Sequence, residues 1–265
     1  MTDVTTAGAS APDANAAAPR LPGLTVVLPC FNEAPNVERA ITEATWAAAW
    51  NADEHEIVVV DDGSTDGTAE IAREAARQVP GVRVVRHERN GGYGAALQTG
   101  LRAARMPWVL LTDADLQFDL DQIERFVPIT DDADVVLGWR IDRKDPLQRR
   151  VNAAAWNWLV RRTFGLRVRD VDCAFKLIRR DFVKDIPLTS TGAMISTELL
   201  VRAERNGARV WELGVEHRPR LAGEQTGANP RVVLRAFGEL RRLRAELRGG
   251  LPALATRAAT TASAA

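Results

Sequence analysis

Short, uninterrupted apolar runs alternate along this chain with stretches that repeat apolar residues at helical spacing. That rhythm leaves few folds open. Leu24–Leu28 (LTVVL), Ile57–Val60, Val82–Arg86, Trp108–Leu111 and Asp134–Leu137 read as strands. A continuous β-rich run, rather than an alternating one, is what a strand covered on both faces requires. Pro35–Trp50, Gly67–Gln78 and Gly94–Arg105 read as the intervening helices. In the first of them Val37, Ala40, Ile41, Ala44 and Ala48 fall on one stripe. Asp121–Val127 reads as a short helix. The order predicts an α/β protein with a parallel-rich sheet and helices on both faces. Beyond Arg140 the pattern changes. Leu147–Phe164 is helical and Trp-rich, Asp172–Ile178 a strand, Met194–Asn206 a helix, Val210–Val215 a last strand, and Arg231–Arg248 an amphipathic helix.

In sheets of this kind ligands sit beyond the carboxyl ends of the strands. Those ends carry PCFNE (29–33), DDGSTDGT (61–68) and DADLQ (113–117), so several strands deliver carboxylates to one rim. On an extended chain Asp113 and Asp115 point to the same side, and two such carboxylates repel unless a cation or donors neutralise them. Mg²⁺ or Mn²⁺ prefers carboxylate oxygen, with substrate phosphates completing the shell. Taken alone, a D-x-D is outweighed by a plainer reading in which Asp side chains cap local backbone and the next helix. In DDGSTDGT, Gly63 and Gly67 permit turn geometries closed to other residues, and Asp66 reads as a helix cap. Asp61 and Asp62 are costly side by side after IVVV unless satisfied; a carboxylate there can accept from a nucleobase N–H. NGGYGAA (90–96) fails the dinucleotide fingerprint, since Leu97 stands where the third glycine belongs.

Composition narrows the classes. The 35 basic and 35 acidic residues cancel, so no global charge draws the chain to nucleic acid. The 2 cysteines, Cys30 and Cys173, lie in or beside apolar runs, which argues against a disulfide framework and fits a reduced, cytoplasmic setting. No CxxC or HExxH is present. Residues 1–21 and 249–265 are rich in Ala and Thr and read as disordered lead and tail. The lead lacks the basic start and apolar stretch of a secretory signal. No apolar run reaches the roughly 18–20 residues of a membrane span.

Seven motifs in order carry a resemblance: PCFNE, VDDGSTDGT, NGGYGAAL, TDADLQ, GWR (138–140), DVDCAFKL (170–177) and HRPRLAGE (217–224). Together the chain resembles family 2 glycosyltransferases of the GT-A fold, and within them the dolichyl-phosphate mannose synthase-like, polyprenyl-phosphate glycosyltransferase group. The resemblance implies a GT-A domain over 22–230 with a separate amphipathic helix over 231–248. It implies that Pro29, Phe31 and Glu33 line the nucleotide pocket and that Val60 and Asp62 bind the base. It assigns Asp113, Ala114, Asp115 and Gln117 to the donor diphosphate, with Asp113, Asp115 and Gln117 holding Mg²⁺ or Mn²⁺. Arg140 is expected to meet phosphate, with Arg149 or Arg150 adding a contact, and Arg220 belongs to a loop closing over the donor. The implied reaction is inverting transfer of a hexose, mannose from GDP-mannose or glucose from UDP-glucose, to a polyprenyl phosphate. A soluble or saccharide acceptor, or a non-catalytic nucleotide-sugar-binding role, are the rival readings. Two departures stand out. Relatives read D-x-x-S-G-F where this chain has Asp170, Cys173, Ala174 and Phe175, and G-E-S-K where it has Gly223, Glu224, Gln225 and Thr226. For a hydroxyl acceptor, Glu198 is the candidate base; its plainer reading is a polar residue on the exposed side of a helix. Trp156 and Trp158 lie between the Arg149–Arg150 and Arg161–Arg162 pairs. That segment, like 231–248, fits either a docked helix or one resting peripherally on the inner face of the cell membrane.

Overall fold

A computed structural model describes residues 18–141, 147–219 and 230–248; side chains are described outside 147–153 and 230–234. Seven strands form one sheet: β1 (Leu24–Cys30), β2 (His55–Asp61), β3 (Val82–Arg86), β4 (Trp108–Leu111), β5 (Val135–Ile141), β6 (Lys176–Arg179) and β7 (Val210–Glu216). Their order is β3-β2-β1-β4-β6-β5-β7. Every pairing is parallel except the two made by β6, which runs against both β4 and β5. The helices are α1 (Val37–Asn51), α2 (Thr68–Gln78), α3 (Tyr93–Ala103), α4 (Leu147–Phe164), α5 (Ile195–Arg205) and α6 (Pro230–Arg248).

The continuous apolar runs have the physical cause expected of them. Alternate residues of one strand enter different cores. Val26, Leu28, Ile57, Val59 and Leu110 pack with Ile41 and Ala44 of α1 on one face. Val27, Val58, Val60, Val109 and Leu111 pack with Leu97 and Leu101 of α3 and Leu199 of α5 on the other. Each fully buried Val or Leu contributes about 1.5–3 kcal/mol relative to exposure.

Several boundaries differ from the sequence reading. β5 runs on to Ile141, so GWR lies inside a strand. β6 begins only at Lys176; residues 172–175 turn into it instead of extending it. The short helix expected over 121–127 is two 3-10 turns, Leu120–Arg125 and Val127–Asp131. The lead ends earlier than residue 21: Leu21 is buried and bridges to Ala52, beside Arg20 bonded to Asp53. The C-terminal helix docks. Ala236, Leu240, Leu243 and Leu247 of α6 join the second core.

Gly100 shows how closely α3 approaches the sheet. A Cβ built there would overlap the Val27 side chain of β1. Gly100→Ala is expected to cost about 1–3 kcal/mol by overpacking, measured as a lower urea midpoint with an unchanged slope.

Candidate active site

The parallel strands β1, β2 and β4 end at one rim, in register. Pro29 lies beside Val60, Cys30 beside Asp61, and Val27 beside Leu111. Cys30 reports how close the acids come. Burial pushes its thiol pKa up, and the carboxylates of Glu33, Asp61, Asp113 and Asp66 push it further. The exits of β1, β2 and β4 therefore bring carboxylates to one rim.

Each acid has a distinct local role. Asp61, fully buried, accepts from Ser64 N at 3.1 Å and pairs with Arg86 at 3.1 Å. Asp66, just before the Gly67 N-cap of α2, accepts from Thr68 N and Thr68 Oγ1, and also from Ala34 N. Burial raises its pKa, but those hydrogen bonds outweigh it and hold the carboxyl below the usual range. Glu33 is buried and accepts from Asn36 Nδ2 at 2.7 Å. Phe31 projects at the rim, 43% exposed. Val60 is wholly buried in β2, so its contribution to a pocket is backbone and packing.

Asp62 is nearly buried and organises the neighbouring loop. Its Oδ1 accepts from His87 Nδ1 at 2.6 Å and Gly91 N at 2.9 Å; its Oδ2 accepts from Gly92 N at 2.8 Å. Gly92, at φ 100°, adopts a backbone that a side chain resists, and opens α3. The next residue, Tyr93, sends its hydroxyl to Asp113, and the charges of Asp113 and Asp115 join burial in pushing the phenol pKa well up. A continuous chain of contacts thus links Asp62 to the D-x-D segment.

That segment is not the extended run assumed from sequence. Ala114–Leu116 turns, with Leu116 at φ 60°. Ala114 is buried, and Asp115, 4% exposed, accepts from Gln117 N at 3.2 Å. Both Asp113 and Asp115 push the pKa of the one phenol up. Gln117 donates through Nε2 to Arg218 O at 3.0 Å and accepts Arg218 N at 2.7 Å, stitching the segment to the exit of β7. Among the described residues no three His, Cys, Asp or Glu form a preformed metal cage. A hard divalent cation taking one or two carboxylates and the oxygens of a substrate diphosphate needs no such cage, and this donor set fits that mode.

Arg140 sits further along the rim, its Nε and Nη2 forking onto Asp170 at 2.7 and 2.8 Å. Burial lowers its pKa, but the Asp170 bonds prevail and raise it above the ordinary arginine value. Arg140 thus has one edge of its guanidinium already held by a carboxylate. Residues 220–224 of the expected closing loop, Arg220 among them, lie outside the described residues, as do the side chains of Arg149 and Arg150.

Glu198 meets neither expectation. It is fully buried, and its carboxylate takes Thr189 N, Ser190 N and the Arg202 guanidinium, the last at 2.8 Å. Burial raises its pKa, yet the bonds from Ser190, Thr189 and Arg202 lower it overall. A carboxylate so occupied clamps a loop and is unsuited to take a proton from an acceptor.

Three positions were missed from sequence. Tyr93 was read only as part of a glycine loop. His87 carried no motif. Lys176, one of the few lysines, is 2% exposed at the start of β6 and donates to Cys173 O and Ser196 Oγ. Burial pushes its pKa down, while Cys173, Asp172, Asp170 and Asp113 oppose that. A lone lysine inside the apolar run DCAFKLI was the legible signal.

Comparison with known proteins agrees with this geometry. The family model for glycosyl transferase family 2 matches residues 25–187. The chain belongs to that family. A dodecaprenyl-phosphate galacturonate synthase of Rhizobium johnstonii is 34% identical over 169 residues, 62% of this chain and 50% of the relative. An undecaprenyl-phosphate 4-deoxy-4-formamido-L-arabinose transferase of Edwardsiella ictaluri is 34% identical over 209 residues, 76% of this chain and 62% of the relative. The chain therefore spans half to less than two thirds of these two family 2 proteins. A mannosyl-3-phosphoglycerate synthase structure from Rubrobacter xylanophilus superposes with a TM-score of 0.63 at 22% identity, covering 88% of this chain and 76% of that one. A glucosyl-3-phosphoglycerate synthase structure from Mycobacterium tuberculosis, in complex with Mn²⁺, UDP-glucose and phosphoglyceric acid, gives 0.62 at 20%, covering 83% and 80%. These likenesses establish the GT-A fold.

The Glu198 clamp gives a pH signature. A depressed carboxylate pKa adds stability that is present above the unfolded value and lost as pH falls through the folded one. Glu198→Gln should cost roughly 1.5–3 kcal/mol at neutral pH, because it removes a charge-assisted partner from Arg202 and leaves Glu246, at 2.9 Å, as the remaining carboxylate. The gap to the unsubstituted chain should narrow through the acid range, as read by denaturant melts at stepped pH.

Proposed function

We propose that this chain is a glycosyltransferase moving a hexose from a nucleotide diphosphate sugar to a polyprenyl phosphate, by single displacement with inversion. The observation that carries the proposal is the link from Asp62 through Gly92 and Tyr93 to Asp113, which joins a base-reading carboxylate to a diphosphate-reading pair. The relatives named for polyprenyl-phosphate sugar transfer support the acceptor class.

In this reading the base lies against Phe31 and Pro29 with its edge on Asp62. Glu33 and Val60 shape the pocket floor. Asp113, Asp115 and the Gln117 amide oxygen would hold Mg²⁺ or Mn²⁺, with Ala114 small enough to let the diphosphate approach. The bound cation supplies Lewis-acid stabilisation of the departing diphosphate. Tyr93 orients Asp113 by its hydroxyl, and Lys176 offsets the crowded negative charge from behind the sheet end. Arg140 meets phosphate with the edge of its guanidinium that Asp170 leaves open, and Arg220 closes over the donor.

A phosphate acceptor arrives already anionic. It attacks the anomeric carbon without a general base, which agrees with Glu198 being occupied elsewhere. No helix among the described residues is long and apolar enough to cross a membrane. In this reading the acceptor is met at the cytoplasmic membrane surface. The exposure of Trp158, 65% on α4, and of Phe237 of α6, whose ring meets Trp156 at 5.7 Å, supports a contact with the lipid.

The test is a donor screen with Mn²⁺ or Mg²⁺, with and without a short polyprenyl phosphate, following released nucleoside diphosphate. Release should need both the metal and the lipid phosphate. Asp115→Asn keeps the oxygen that accepts from Gln117 N and so keeps the fold. It should lower turnover at least 100-fold, about 2.7 kcal/mol of transition-state stabilisation. Undiminished turnover in that variant would remove the acidic pair from the mechanism. Transfer to soluble saccharides in preference to the lipid would overturn the acceptor.

A further inference from the structure

The hydrogen bonds already made by Asp62 limit what it can still read. A carboxylate offers about four lone-pair positions, two on each oxygen. Oδ1 takes His87 Nδ1 at 2.6 Å and Gly91 N at 2.9 Å, and Oδ2 takes Gly92 N at 2.8 Å. Among the described residues this fills Oδ1 and leaves one position on Oδ2.

His87 is fixed in this task from both sides. A carboxylate only accepts, so Nδ1 must carry the proton it shares with Asp62. Nε2 then accepts from the Thr99 hydroxyl, 2.9 Å away on α3. The Asp62 carboxylate therefore sets the tautomer, the Thr99 hydroxyl holds the far side of the ring, and the imidazole is a standing donor rather than a swinging one.

From this acceptor count we infer that the pocket selects an imide base, uracil or thymine, over guanine, and that His87 is the specificity-determining residue. The inference rests on the donor-site reading given above. An imide edge presents a single N–H flanked by two carbonyls, which matches one open acceptor. Guanine presents two N–H groups side by side and is read best by both oxygens of one carboxylate. With Oδ1 occupied, that pairing loses half its acceptors and leaves a guanine donor unmet, the kind of deficit that discriminates strongly in a buried site. Cytosine and adenine place a ring-nitrogen lone pair where the imide has its N–H, and a carboxylate repels it. The preferred donor is accordingly a uridine- or thymidine-type diphosphate sugar.

Calorimetric titration of the full chain with UDP, dTDP, GDP and CDP, each with Mn²⁺, tests this directly. The four share the diphosphate, so their differences report chiefly on the base. UDP or dTDP should bind at least tenfold more tightly than GDP or CDP; the ratio between UDP and dTDP shows whether the sugar hydroxyl is also read. His87→Ala opens a second acceptor and should shrink the UDP-to-GDP ratio at least threefold, whereas His87→Gln, which keeps a donor, should retain more of it. Circular dichroism melts identify a variant that fails to fold, and in that case the four-nucleotide comparison on the unsubstituted chain decides alone. GDP binding as tightly as UDP, or a ratio unmoved in folded His87→Ala, would overturn the base assignment while sparing the donor-site reading. Binding of none of the four would overturn both.

Discussion

One carboxylate, that of Asp62, fixes the geometry on which the rest of the rim relies. It stands at the exit of β2 and holds the amides of Gly91 and Gly92, and so sets where α3 begins. The start of α3 sets Tyr93, and Tyr93 meets Asp113 at the exit of β4. Three loops that are distant in sequence are thereby given one arrangement. A buried carboxylate is tolerable only when donors surround it, and here backbone amides and one imidazole provide them.

The crowding of acids around Cys30 and Tyr93 is met by two devices. Backbone and hydroxyl donors absorb part of it, as at Asp61 and Asp66. The reversed strand β6 absorbs another part. Because β6 runs against its neighbours, its first residue, not its last, lies at the rim: Lys176 pairs with Leu111, the final residue of β4. Strands that end at the rim deliver acids through polar loops, while the strand that begins there delivers a lysine on a buried stem. The mixed sheet thus supplies both signs of charge at one edge.

Much of this was legible in the sequence because its causes are local. Val82–Arg86, Trp108–Leu111 and Leu147–Phe164 match the expected bounds, since each is closed by turn residues or bounded by a clear change of pattern. The acidic exits were legible for the same reason. What escaped depended on contacts between distant segments. The strand expected from Asp172 begins only at Lys176, because pairing with β4 starts there. Glu198 reads as an exposed helix residue until the loop at Thr189–Ser190 and the guanidinium of Arg202 are seen to close over it. The turn at Leu116 defeats an alternation rule that holds only for extended chain. His87 and Tyr93 acquire meaning only from partners 20 or more residues away in sequence, Asp62 and Asp113.

The docking of α6 carries a mechanical consequence. Glu239 accepts the amides of Thr191 and Gly192, and Arg235 grips the Thr191 hydroxyl. The Thr191 carbonyl in turn receives Gly94 N at 3.0 Å, and a Cβ on Gly92 or Gly94 would collide with the carbonyls of Thr191 or Ser190. The C-terminal helix is therefore a brace for the glycine loop, two contacts removed from Asp62. A force that tilted this helix would be felt, through Thr191, at the glycine loop that Asp62 holds.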